Sequence, residues 1–140
     1  MATTTIHTFA GTCPESPSRS DLVDLIEECW ECAEAKGFHE ARGDAYGPGY
    51  VAYHLASLAL IHSEVSEALE EVRKATDPSD LRAIDLDEKG KPVGYLSELA
   101  DVVIRVFDLA AGIDADTFVG AVLSKMAYNR SRPHLHGKNS

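Results

Sequence analysis

No stretch of this sequence reaches the uncharged length of a membrane span; the longest apolar-patterned segment, 51–72, is interrupted by His54, His62 and a series of glutamates. No membrane role is therefore expected. The N-terminus, MATTTIHTFAGTCPESPSRS, has no early Lys or Arg and no apolar core of signal-peptide length. Positive charge is scarce: 13 Lys and Arg stand against 23 Asp and Glu, a formal net charge of -10. Such a chain repels the phosphates of polymeric nucleic acid, which argues against a DNA- or RNA-binding role. A small phosphorylated ligand stays compatible where a metal ion reverses the local sign. Cysteine is also sparse and odd in number, with Cys13, Cys29 and Cys32 only. Three thiols cannot pair completely, so reduced thiols and a cytoplasmic location are expected.

What is present is ordinary globular material. The 140 residues, 44% hydrophobic, suit one domain with a single sizeable core. Residues 1–19 are rich in Thr, Ser and Pro without periodicity and read as a poorly ordered arm ahead of a single all-α domain over 20–140. Leu22, Leu25, Ile26, Cys29, Trp30 and Ala33 then recur at the spacing of one helical face, with Ser20 as N-cap, which predicts a first helix over 21–36. The glycine-rich segment GFHEARGDAYGPG is a loop. A second helix is expected over 50–75, with Leu58, Ile61, Val65, Leu69 and Val72 as its apolar stripe and Glu64, Glu67 and Glu71 together on its flank. Residues 76–94 form a long connection with one turn of helix expected at 79–84. A third helix runs over 95–111 and a fourth from a cap at Asp114 or Asp116 to about Tyr128. The fourth helix has Phe118, Val119, Val122, Leu123 and Met126 on its core side. Beyond it, NRSRPHLHGKNS carries Arg130, Arg132 and Lys138 and no acid, a basic tail that Pro133 separates from the helix. Four helices with short-to-medium loops and no internal repeat predict a four-helix bundle.

The third helix, YLSELADVVIRVFDLAA, organises the rest. Glu98, Asp101, Arg105 and Asp108 fall in one narrow stripe and the remaining surface is apolar, a pattern expected of a helix enclosed in a bundle. Carboxylates in such surroundings are costly to ionise unless a cation faces them. The pair Glu98/Asp101 has a counterpart in Glu64/Glu67, also three residues apart. If the second and third helices pack antiparallel, four carboxylates converge on one volume. Hard oxygen donors without His or Cys among them suit Mg²⁺, or Mn²⁺, better than zinc. The alternatives are a solvated acidic face for Glu64/Glu67 and an internal Asp101–Arg105 pair on the third helix.

HSEVSEALEEV, SELADVVIRVFDLA and KMAYNRSRPHLHGK together resemble the all-α nucleoside triphosphate pyrophosphohydrolases, the MazG-like superfamily. The resemblance spans roughly residues 20–138. An ExxE motif and a later ExxD motif stand as Glu64-Val65-Ser66-Glu67 and Glu98-Leu99-Ala100-Asp101. Ser63 occupies a position where many relatives have a further Glu, and the segment between the motifs is somewhat long. The resemblance implies Mg²⁺ held by Glu64, Glu67, Glu98 and Asp101, and hydrolysis of a (deoxy)nucleoside triphosphate between its α- and β-phosphates in nucleotide-pool house-cleaning. Lys125, Asn129, Arg132 and Lys138 would then supply donors to phosphate oxygens, the alternative being a solvated basic terminus. Glu71 is a candidate water-orienting base or extra ligand. Trp30, a core residue by its pattern, matches a region where relatives hold the base, and His62 sits just before the acidic motif.

Cys29 and Cys32 have CxxC spacing but no βαβ context, so they extend the apolar face of the first helix. A carboxylate-bridged iron site of the ferritin-like type is disfavoured, because no Glu has His three residues later. A non-catalytic helical bundle that binds a partner or nucleotide through the same acidic site is the other alternative. A nearly all-apolar third helix is hard to bury in one copy of so short a chain, and relatives are typically dimers or dimers of dimers, so a homodimer or homotetramer is expected.

Overall fold

The computed structural model describes residues 18–42 and 47–133. Helix α1 spans Arg19–Ala35, α2 Pro48–Lys74, α3 Tyr95–Ala111 and α4 Ala115–Ser131, so the chain is all-α in its main elements. The predicted arm lies outside the described residues except at its end, where Ser18 precedes α1 and Arg19 is its first residue. Ser18, rather than Ser20, is the N-cap. Its hydroxyl accepts from the Asp21 amide at 3.2 Å while the Asp21 carboxylate accepts from the Ser18 amide at 2.8 Å. This capping box needs an acid three residues after the hydroxyl, and Ser18–Asp21 has that spacing.

Pro48 starts α2 at a position where its missing N–H costs nothing. The connection from α2 to α3 is more structured than its composition suggests. A 3₁₀ turn at Asp80–Arg82 falls inside the predicted helical turn, and a two-stranded antiparallel hairpin, β1 (Asp85–Leu86) with β2 (Pro92–Val93), follows. Asp87 closes the hairpin by accepting from the amides of Lys89 at 2.8 Å and Lys91 at 2.9 Å. Gly90 takes the left-handed conformation, with φ 81°, that such a turn requires. Helix α3 has the bounds its composition predicts, between Gly94 and Gly112. At the start of α4 the Asp114 carboxylate accepts from the Thr117 amide at 2.6 Å, which settles the cap on Asp114.

Helix α3 is the axis of the fold and packs chiefly on α1 and α2, with α4 across its end. Ile26, Ala115 and Val119 form the buried centre, with Leu22, Val23, Phe107, Ala111 and Phe118 packed around them. Arg19 ties α1 to α4 through a bidentate pair with Asp116, Nε–Oδ1 2.7 Å and Nη2–Oδ2 2.8 Å. That hydrogen bond and the guanidinium charge hold the Asp116 carboxyl below its ordinary range.

Burial departs from the predicted stripes. On α2, Val51, Leu55, Leu58, Val65, Leu69 and Val72 lie on one side of the helix and are 41–65% exposed, whereas Glu64 and Ala68 on another side are buried. The predicted apolar stripe of α2 therefore faces outward, apart from half-buried Ile61. Helix α3 is not enclosed on all sides either: Leu96, Leu99, Val103 and Ile104 are exposed. On α4, Phe118 and Val119 pack inward as expected, but Val122, Leu123 and Met126 are exposed with the rest of 121–130. Periodicity locates an apolar stripe; it does not say whether the chain's own helices cover it.

One glycine is required by close approach. A Cβ on Gly112 would lie 2.5 Å from the Trp30 ring. Gly112→Ala should therefore destabilise the fold by about 1–3 kcal/mol through overpacking, measured as a lower urea midpoint with an unchanged slope.

Candidate carboxylate site and its cavity

The antiparallel pairing of α2 and α3 brings their acidic motifs together. Glu64, Glu67 and Glu98 place one carboxylate oxygen each within 4.8 Å of the others. Glu64 and Glu98 are 6% and 8% exposed, and Glu67 is at the surface. The three-residue spacing on α2 turns Glu64 and Glu67 the same way, and Glu98 meets them from the first turn of α3. Asp101, one turn on, lines the adjoining cavity beside Glu64 and Glu67 but is not a member of the close trio.

The electrostatics are unfavourable for an isolated set of anions. Burial pushes the Glu98 carboxyl above its ordinary range, and the charges of Glu67, Asp101 and Glu64 push it further, against an opposing pull from Lys91. The Oε2 atom of Glu98 is buried and accepts no hydrogen bond from the described residues. A buried acceptor left unmet costs about 1–3 kcal/mol, which a cation at this position would remove. All the donors are hard carboxylate oxygens, so the set fits Mg²⁺ or Mn²⁺.

A cavity of about 550 Å³ opens beside the trio. At the acidic end its wall carries Glu64, Glu67 and Asp101, with the cations Lys36, Lys91 and Arg105 also facing it. The wall also carries Phe38, Tyr53, Leu60 and Ile104, with Asp108 and Cys29. Burial, and secondarily the Asp108 charge, raises the Tyr53 phenol above its usual range. The Cys29 thiol is raised too, by burial first and then by Glu28, Asp108 and Cys32, so it stays protonated and unreactive at neutral pH. That agrees with a packing role for half-buried Cys29, whereas Cys32 is exposed and does not pack as its spacing predicts.

Arg105 and Asp108 have partners that the sequence left open. Arg105 Nε donates to Glu64 Oε1 at 2.5 Å, across to α2, rather than to Asp101 on its own helix. Asp108 Oδ1 meets His39 Nε2 at 2.7 Å. The His39 ring stacks on Trp30 with centroids 3.7 Å apart. Arg42 lies over the same indole and donates to the Gly112 carbonyl. Trp30 is thus built into a cluster beside the cavity, without lining it.

Several predicted site residues stand elsewhere. Glu71 pairs with Lys74 at 2.7 Å and lines a second, smaller cavity. His62 is exposed, outside the cavity wall. Lys125 and Asn129 lie on the exposed end of α4 and Arg132 just past it, and Lys125 and Arg132 flank the Tyr128 ring. No residue of α4 lines the cavity among the described residues, and Lys138 lies outside them. Of the cations that do face it, Arg105 stands out in the sequence without a role, and Lys36 and Lys91 do not stand out. Arg105 shares the polar stripe of Glu98 and Asp101, a signal that was available. Lys36 follows α1, and Lys91 arrives on the hairpin, where nothing local announces a site. No helix is long and apolar enough to cross a membrane among the described residues. Comparison with protein-family models, curated proteins and solved structures finds no match to this chain.

Proposed function

We propose that this chain is a Mg²⁺-dependent nucleoside triphosphate pyrophosphohydrolase of the MazG-like kind. The observation that carries the proposal is the buried Oε2 of Glu98, which accepts no hydrogen bond from the described residues, beside Glu64 and Glu67 and next to a cavity that also presents three basic side chains. Glu64, Glu67 and Glu98 would hold the ion, with Asp101 completing the set. Mg²⁺ held there would supply charge neutralisation for a triphosphate and a water of lowered pKa. Lys36, Lys91 and Arg105 stand where phosphate oxygens would need donors, Arg105 with the planar fork suited to them. Phe38, Tyr53 and Leu60 on the same wall would offer apolar and aromatic surface for a base. Attack of water at the α-phosphorus breaks its bond to the α,β-bridging oxygen and yields a nucleoside monophosphate and pyrophosphate.

The decisive assay incubates the protein with Mg²⁺ and a panel of ribo- and deoxyribonucleoside triphosphates and scores pyrophosphate. Release above a Glu98→Gln control is expected for at least one nucleotide. Absence of release from all of them, with a partner protein bound by wild type and lost when all four carboxylates are neutralised, would identify a non-catalytic bundle that uses the acidic site instead.

The proposal extends to assembly. The outward stripe of α2 runs the length of a 27-residue helix, and an apolar surface of that extent is characteristic of association. A second copy of the chain, presenting the same stripe about a twofold axis, is the occupant this reading assigns, as a homodimer or a pair of dimers.

A further inference from the structure

Arg105 occupies an unusual position for a basic residue near a cation site. Its Nε donates to Glu64 Oε1 at 2.5 Å, and the Glu64 side chain is 8% exposed while that of Arg105 is 39% exposed. One end of the pair is therefore locked in the carboxylate trio and the other opens on the cavity. The guanidinium has five N–H donors, and among the described residues the Glu64 bond is its one hydrogen bond. Its neighbours one turn away on α3 do not compete for it. Asp108 is engaged by His39, and Asp101 lines the cavity without contacting it within ion-pair distance.

We infer that Arg105 is a resident counter-cation of the carboxylate site, which metal entry displaces toward the cavity. The inference rests on the metal-site reading above. A buried carboxylate without a cation is strongly disfavoured, so Glu64 requires a partner in the metal-free protein, and Arg105 supplies it. A divalent ion drawn to the same trio competes for Glu64 and repels the guanidinium at short range. Released from Glu64, Arg105 stays on the cavity wall with Lys36 and Lys91, where its fork can meet a phosphate oxygen pair. Loading of the ion and capture of a phosphorylated ligand are thereby linked through one side chain. An arginine held permanently by Glu64 for structure alone would not link them.

The linkage has a signature of opposite signs. Titration of the metal-free full chain with Mn²⁺ alone should give an Arg105→Gln variant that binds the ion about tenfold tighter than wild type, because nothing has to be displaced. At a fixed saturating concentration of free Mn²⁺, the same variant should bind imidodiphosphate about tenfold more weakly. Arg105→Lys, which keeps the charge without the fork, should fall between wild type and Arg105→Gln for Mn²⁺. Unchanged Mn²⁺ affinity, or weakening of both ligands as a merely structural loss would produce, overturns the inference while leaving the metal site standing. Failure of wild type and both variants alike to bind Mn²⁺ overturns the metal site itself, and the inference with it.

Discussion

Glu98→Gln should reduce pyrophosphate release by at least about a hundredfold, since even residues that only support a metal ligand cost 10–100-fold when removed. The same substitution should make the metal-free protein more stable. Glu98 is buried with an unmet oxygen and is crowded by Glu67, Asp101 and Glu64. An amide of the same shape carries no charge to desolvate. A gain of about 1 kcal/mol, or roughly 3–5 °C in melting temperature for a domain of this size, is expected in chelator. The pH dependence follows from the direction of the shift. A carboxyl whose folded-state pKa lies above its unfolded value binds more protons when folded, so its contribution to stability declines as pH rises from the unfolded value through the folded one. The advantage of Glu98→Gln over wild type should therefore be small in acid and grow toward neutrality, and saturating Mg²⁺ should reverse it. Glu64→Gln makes the contrast. It removes the partner of Arg105 and should lower metal-free stability while also abolishing turnover. If both variants lost stability equally in chelator, crowding of anions would not be what distinguishes Glu98.

The second large effect concerns assembly. Leu58→Asp and Leu69→Asp place charge on the outward stripe of α2, at positions already half exposed in the single chain. Each should leave the fold of the isolated chain intact, with helical circular dichroism close to wild type. In a dimer that buries the stripe, each twofold contact would instead enclose an unpaired carboxylate. A penalty of about 3 kcal/mol, which exceeds a hundredfold in dissociation constant, is expected. Sedimentation at micromolar concentration should show wild type as a dimer or tetramer and the double variant as a monomer. A wild type that sediments as a monomer at every concentration would remove the second copy from the proposal and leave the stripe to another partner.

The two predictions test different degrees of legibility. The carboxylate pairs were readable because three-residue spacing on a helix is a local geometric constraint, and because glutamate and aspartate on an otherwise apolar helix demand a reason. That Glu98 meets Glu64 and Glu67 depends on α2 and α3 packing antiparallel, which their long connection allows, while Asp101 stays outside the close trio. Trp30 was readable as a packed residue, and its contacts with His39 and Arg42 bear that out. The basic side chains were harder. The terminal run of Lys125, Asn129 and Arg132 drew notice as a concentration of donors, yet the donors at the cavity are Lys36, Lys91 and Arg105, scattered over three segments. Lys91 reaches it only because Asp87 and Gly90 fold the connection back as a hairpin.

What the sequence determines by itself is therefore the set of helices and the residues that share a face. Hydrogen bonds four residues apart, a capping box at Ser18–Asp21, and glycines at both ends of α3 are all local interactions, and local interactions leave local patterns. Which face turns inward is decided only by the tertiary structure. Helix α2 carries two usable sides, one with Glu64 and Ala68 and one with Leu58, Val65 and Leu69, and the more apolar of them is the one left outside. A stripe that excludes water against a partner and one that excludes water in a core obey the same hydrophobic periodicity. Only the placement of the neighbouring helices distinguishes them, and the same placement gives Glu64 the guanidinium of Arg105 as its partner.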